Sequence, residues 1–428
     1  MVNMNTEFAS RRQFLAASGT LGLGSIAGCA GKFKQMVRSE PPIERSQPVG
    51  DWRQIHADTR NSGHVPEGNG PFTDQPLGSS VRWHYDDAGF RSSLVVADGK
   101  VYAGTDGELH AVDAASGRSL WRSRLREGES PLISSTPAVA DGRVYLGAND
   151  GRVYALNASD GSHEWSYVLE SDGWVGAPPT VVEDTAYVAS NNSEGDSQGT
   201  IAALDAATGT EQWRLPLDGD VESAPAVVDG TVYVSVATAG VDNLLAIDAK
   251  TGGRRWGFSA QLRVPGAPAV VDGTVYFGDE DGWLYALDAK TGEIEWQTTP
   301  AVGLGPVASS PAVTEEMLYV TDKDEYILKF DRKTGKIRGS MELASGSGTT
   351  IQEGLSSSPV VVDGIIYVGG GDQGSSTEGT LYALTPSMKP VAAVSVGTAM
   401  NSTPVVVDGI VYVATLDGIY AIGPIQQD

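Results

Sequence analysis

Residues 266–296 read Gly-Ala-Pro-Ala-Val-Val-Asp-Gly-Thr-Val-Tyr-Phe-Gly-Asp-Glu-Asp-Gly-Trp-Leu-Tyr-Ala-Leu-Asp-Ala-Lys-Thr-Gly-Glu-Ile-Glu-Trp. Turn residues cut this stretch into four short runs. Ala269-Val270-Val271 is a brief apolar strand. Asp272-Gly273 follows, the pair favoured in a tight hairpin because both central residues must take positive φ. Thr274 to Gly278 alternates as a second strand, Asp281-Gly282 turns, and Trp283 to Leu287 forms a third. Thr291-Gly292 then turns into a fourth that ends at Trp296. Pro268 opens the first strand, where a missing N–H costs little. Four antiparallel strands in chain order form one propeller blade if the unit repeats around an axis.

The unit does repeat. Its closing part recurs at Ala111–Trp121, Ala155–Trp165, Ala203–Trp213 and Ala246–Trp256, which spaces the tryptophans 40 to 48 residues apart. That is the period of a propeller or solenoid. Degenerate copies run from Lys329 through Asp331 and Thr334-Gly335 to Met341, and through Leu381-Tyr382-Ala383-Leu384 towards Val394. First strands begin at Leu94 and at Pro137, Pro179, Pro225, Pro268, Pro311, Pro359 and Pro404. The expected fold is all-β: an eight-bladed β-propeller of four-stranded antiparallel blades over residues 81–428. The last copy has only three strands, while Val81-Arg82-Trp83-His84-Tyr85 stands orphaned before the first blade. The orphan is predicted to complete blade eight, which closes the ring and leaves no central edge exposed.

The composition agrees with short strands and tight turns. The 428 residues include 53 glycines and 22 prolines. The formal net charge is −24, spread along the chain, which disfavours nucleic acid as a partner. Dispersed acidity with few lysines fits solvation in concentrated salt, and calcium sites are the alternative. The one cysteine, Cys29, rules out an intrachain disulfide.

Cys29 has its own explanation. Arg11 and Arg12 sit in Ser10-Arg-Arg-Gln-Phe-Leu15, the pattern of a twin-arginine export signal. A small-residue apolar stretch follows and ends in Ile26-Ala27-Gly28-Cys29, which resembles a lipobox. The expected organisation is a signal peptide over residues 1–28, a lipidated tether over 29–50, a brace across one propeller face over 51–80, and the propeller. The protein is then expected at the outer face of the cytoplasmic membrane, anchored through lipid on Cys29, as a monomer. Leader and acidity together resemble those of halophilic archaeal proteins.

The phrase Ala-x-Asp-x-x-Thr-Gly-x-x-x-Trp matches in full at Ala286, Asp288, Thr291, Gly292 and Trp296, and at Ala203, Asp205, Thr208, Gly209 and Trp213. It resembles the tryptophan-docking motif of the PQQ-like, quinoprotein-type and BamB-like repeat family. The resemblance covers roughly residues 81 to 422. The structural tryptophans are Trp83, Trp121, Trp165, Trp213, Trp256 and Trp296. The threonine-glycine pair makes a turn, the aspartate caps it, and the indole is expected between adjacent blades.

The resemblance permits two functions. BamB-like members imply a non-enzymatic scaffold that binds envelope proteins or peptides. Quinoprotein dehydrogenases imply PQQ on the axis under paired cysteines, with a cation and a catalytic aspartate. This chain lacks paired cysteines, so no catalytic residue carries over and no cofactor is expected; a PQQ-dependent or other funnel-based oxidoreductase is the runner-up. A solute-sensing module is a third reading. The five histidines, His56, His64, His84, His110 and His163, show no helical metal-ligand spacing. His110 occupies the place of Tyr154 and Tyr285 and is expected as a partly exposed aromatic. Asp279-Glu280-Asp281 and Asn191 to Asp196 are possible calcium ligands that lack a full loop pattern.

Loop lengths mark one face. Longer connections occur at Asn191–Gly199, Ala237–Asn243, Gly369–Gly379, Leu169–Ala177 and Ala344–Ser357. All emerge on the face opposite the short Asp-Gly and Thr-Gly turns. Variable loops on a rigid scaffold carry function. Around the mouth of that face the candidate binding residues are Arg91, Trp174, Glu222, Arg263 and Asn401.

Overall fold

The computed structural model describes residues 51–66, 70–71, 79–87, 89–126, 131–171, 173–192, 199–238, 242–298, 305–324, 326–343, 357–370, 379–398, 400 and 402–424. Arg11, Arg12, Cys29 and the tether lie outside the described residues. The chain is an eight-bladed β-propeller of antiparallel four-stranded blades, with strands in chain order in blades 1 to 7. Blade 5 runs Ala269–Val271, Thr274–Gly278, Leu284–Asp288 and Ile294–Gln297. Its inner turn has φ of 51° at Asp272 and 80° at Gly273, the geometry that Asp-Gly pairs favour. The ring closes as expected: Ser79–Asp86 pairs with Gly418–Pro424 as the outer strand of blade 8.

The motif residues join neighbouring blades. Trp256 donates its indole N–H to the Ala289 carbonyl at 3.0 Å, and its ring lies on Gly292 of the next blade. Gly292 has φ of +73°, and a Cβ there would stand 2.8 Å from the indole. Only glycine meets both demands. The Tyr233 hydroxyl donates to the same Ala289 carbonyl at 3.0 Å. Trp83, Trp165, Trp213 and Trp296 repeat the arrangement on the carbonyls of Ala114, Ala206, Ala249 and Arg332. Trp121 lies on Gly161, but its N–H has no acceptor among the described residues.

The aspartates cap the turns. Asp248 accepts from the backbone and hydroxyl of Thr251, each at 2.9 Å, and from Arg255. Asp331 accepts likewise from Thr334 and Arg338. First the guanidinium and then the threonine donors hold both carboxyls down to about 2. Their contribution to stability is present above the unfolded value near 4 and fades as pH falls through about 2.

Blade 7 departs from this scheme on both sides. Opposite Lys329 of blade 6 stands Gly339, in the tryptophan's place; the reading that ended at Met341 is corrected by two residues. Met388 of blade 7 approaches the vacant position. In blade 7, Ala392 stands opposite Ala383 in that place, not Val394. The reason is geometric. A tryptophan docks on the third-to-fourth strand turn of the next blade, and blade 8 has no such turn, because those two strands come from distant parts of the chain.

The brace seats on the face of the short turns, which the sequence left open. Residues 52–63 reach the inner strands of blades 1 to 7 in order. Trp52 exchanges backbone hydrogen bonds with Val96. The backbone N–H groups of Val139, Val227, Val270, Val313 and Val361 donate to the carbonyls of Arg53, Thr59, Arg60, Ser62 and Gly63. The Gln54 amide takes the place of a backbone at Val181, bonding its N–H and C=O at 3.0 Å each. His64–Val65 then pairs parallel with Val361–Val362. Inner strands have one edge facing the axis, and this segment satisfies polar groups that burial would otherwise leave unpaired. Arg53 bonds Asp98 at 2.8 Å, beside an Asp-Gly turn, which fixes the face.

The docking geometry sets an expected double-mutant cycle. Trp256→Ala should cost about 3 kcal/mol, the scale of a large aromatic truncation. Gly292→Ala should also destabilise, but less in the Trp256→Ala background, because the clash with the indole is then gone. Urea unfolding of the four proteins checks this; strictly additive costs would mean that the two residues do not touch.

Candidate functional site

The opposite mouth remains. Residues leading into the inner strands rim it, and the ends of the second strands flank them. Parts of the longer loops, at 172, 193–198, 239–241, 344–356 and 371–378, lie outside the described residues, as does Asn401.

The four described candidates do not form one cluster. Glu222 and Arg263 lead into blades 4 and 5 and are joined at 2.8 Å. Arg263 also stands 3.9 Å from Glu280, and Lys323 of blade 6 bonds Glu280 at 3.1 Å. The result is a line of alternating charge across three blades. Glu280 and Lys323 were not anticipated. They follow second strands by two residues, and sequence spacing alone does not say that these positions adjoin the next blade's lead-in residues. Trp174 sits on a two-residue strand, Gly173–Trp174, that pairs with Asn191 and Asn192. Its ring crosses Gly176 and is 39% exposed, a flat aromatic surface at the rim. Arg91 stands apart at the seam of blades 8 and 1, with Asp106 at 3.4 Å.

The calcium candidate at Asp279 is committed elsewhere. Its carboxylate accepts from the backbone of Asp281 and Trp283 and from the Tyr285 hydroxyl, at 2.9 to 3.0 Å. Burial raises its pKa. Among the described residues there is no group of three or more His, Cys, Asp or Glu that could hold a metal. Near the axis three small hydroxyls are turned inward on the fold: Ser135, Ser309 and Ser402 each bond the N–H and C=O of the residue twelve positions on. With one cysteine in the chain, this lining does not fit a PQQ group held by paired thiols and a cation.

His110 corrects an expectation. It is 2% exposed, not a partly exposed aromatic. Phe90 covers it edge-on, and the Tyr85 hydroxyl lies 3.1 Å from Nδ1. Burial, then the Arg122 charge, lowers its pKa to about 4. It is a neutral core residue at the closing seam.

The comparisons with known proteins agree with this geometry. The profile described as outer membrane protein assembly factor BamB matches residues 52–194, 170–301 and 241–427. Quinohemoprotein alcohol dehydrogenase ADH-IIG of Pseudomonas putida is 31% identical over 171 residues, 36% of this chain and 24% of that protein. Outer membrane protein assembly factor BamB of Yersinia pestis is 31% identical over 155 residues, 33% of this chain and 36% of that one. The matches thus span about a quarter to a third of these curated relatives. The crystal structure of BamB from Moraxella catarrhalis superposes with a TM-score of 0.64 at 19% identity, over 82% of this chain and 99% of that one. That likeness is one of fold.

One titration is expected at this face. Asp322, at the end of a blade 6 strand, is buried, which pushes its pKa up to about 6. The fold therefore favours its protonated form, and stability is gained as pH falls from about 6 towards the unfolded value near 4. The Tm of the protein should rise over that window by more than the Tm of Asp322→Asn. Parallel profiles would show that Asp322 does not titrate there.

Proposed function

The chain belongs to the outer membrane protein assembly factor BamB family, and on that premise we propose that it is a non-enzymatic scaffold that binds proteins of the cell envelope. The observation that carries the reading is the state of the axis. One end is crossed by the chain's own residues 52–65, and near the other the hydroxyls of Ser135, Ser309 and Ser402 are spent on the fold. What remains open is a broad rim with an exposed indole and paired charges, which suits a polypeptide surface. BamB relatives bear a name that describes assembly, and this supports the same reading. Export through Arg11 and Arg12, lipidation at Cys29 and display at the outer face of the cytoplasmic membrane of a halophile complete the proposal; the leader sequence supports these points.

A second reading keeps one specific observation in its favour: the dehydrogenase relative is as similar in sequence as the BamB relative. The two separate by experiment. Photo-crosslinkers placed at Trp174 and Glu222 in native membranes should capture the same envelope proteins, and crosslinkers at Leu120 and Ile294 on outer strands should not. Addition of PQQ with calcium should give no bound-quinone spectrum and no alcohol-dependent dye reduction. Stoichiometric quinone binding with turnover, and no rim-specific crosslink, would favour the enzyme.

A further inference from the structure

Blade 2 turns from its third to its fourth strand differently from blades 1, 3, 4 and 6. In those four the capping residue is an aspartate, and the residue three positions on gives it a backbone N–H and a hydroxyl: Ser116 to Asp113, Thr208 to Asp205, Thr251 to Asp248 and Thr334 to Asp331. In blade 2 the cap is Asn157, and the hydroxyl stands one residue closer. Ser159 donates its N–H at 2.9 Å and its hydroxyl at 2.5 Å to Asn157 Oδ1. The position three residues on holds Asp160, which accepts from Ser162 instead. The two departures together produce Asn157-Ala158-Ser159, the spacing of an N-linked glycan acceptor.

The altered turn comes with a cost to the joint it serves. Trp121 docks on it, and alone among the six docking tryptophans its N–H has no acceptor among the described residues. A buried donor without a partner is expensive, and a local rule broken at such a cost marks a position with a use beyond the fold. The chemistry suits one use. An aspartate offers no nitrogen, whereas Asn157 does. With Oδ1 held by Ser159, Nδ2 lies on the exposed side of the turn, 3.3 Å from Glu164 Oε1. Ser159, Asp160, Ser162 and Glu164 around it are all exposed. The same spacing occurs at two other places. Asn191 is buried, and its Oδ1 accepts the Val221 N–H at 2.7 Å. Asn401 lies outside the described residues.

We propose that Asn157 carries an N-linked glycan on the exported protein. The donor is a sugar chain held on a lipid phosphate. The bond from the sugar C1 to the phosphate oxygen breaks, and the lipid phosphate leaves with that electron pair. C1 joins Asn157 Nδ2, which gives up one proton to a base of the transferase. The site rests on the proposed export through Arg11 and Arg12, and not on the scaffold reading. The twin-arginine route carries chains that have already folded, so the transferase meets the finished surface, on which Asn157 is presented and Asn191 is not. The turn lies on the face of the short turns, so a glycan there stands clear of the open rim.

Mass spectrometry of peptides from the protein in its native membranes tests this. A glycan mass is expected on the peptide that contains Asn157, and none on the peptide that contains Asn191. Asn157→Asp, which restores the cap of the other blades, should abolish the added mass. Ser159→Ala should abolish it as well, and Ser159→Thr, which keeps the hydroxyl, should retain it. The same digests show whether the chain begins at Cys29. A bare Asn157 on protein cleaved before Cys29 would overturn the proposal and leave export standing. A bare Asn157 on an uncleaved chain would overturn both. An added mass that survives Asn157→Asp, or one that appears equally on Asn191, would also overturn it, because the acceptor would then not be the exposed turn.

Discussion

One contact recurs through the ring and organises it: the indole of one blade lies on a glycine turn of the next and shares that blade's carbonyl with a tyrosine hydroxyl. The contact needs three things at once. The turn residue must have positive φ, it must lack a Cβ, and the carbonyl must point out of its blade. The aspartate-threonine cap holds the turn in that shape. Because the contact is always between consecutive blades, it sets the angle between sheets, and repetition of that angle closes a ring. The tryptophan is therefore a joint of the architecture, which explains why its presence says nothing about chemistry.

The same logic accounts for the exceptions. Blade 8 is assembled from both ends of the propeller, so the turn on which a blade 7 tryptophan would dock does not exist, and Ala392 stands there instead. The brace supplies a second, independent tie. It runs across seven inner strands, six through main-chain hydrogen bonds and that of blade 3 through the Gln54 amide, and so ties all seven to one segment. It also makes the two faces unequal. One end of the axis is occupied by the chain, and the open rim, with its line of charge from Glu222 to Lys323, is left for partners.

Most of the fold was legible in the sequence because period-two alternation, Asp-Gly and Thr-Gly turns and regular tryptophans all point to the same unit. The closing strand was legible for the same reason, since Trp83 carries the mark of an outer strand. What failed was local. Without a tryptophan to anchor the count, Met341 looked like the substitute, yet a bulge after Lys329 sets the register and places Gly339 there. His110 looked exposed because strand alternation does not reveal that Phe90 arrives from the lead-in segment to cover it. The face taken by the brace was illegible, because backbone N–H groups leave no trace in residue types. At the candidate site the sequence found Glu222 and Arg263 but not their continuation, which depends on blades meeting side by side.

Closure by the strand Ser79–Asp86 is the claim on which the ring and its open rim both rest. Thermal unfolding of a chain with residues 79–86 removed tests it most directly. A large drop in Tm with loss of a single cooperative transition is the expected result. A monomer that melts cooperatively at the unaltered temperature would contradict ring closure.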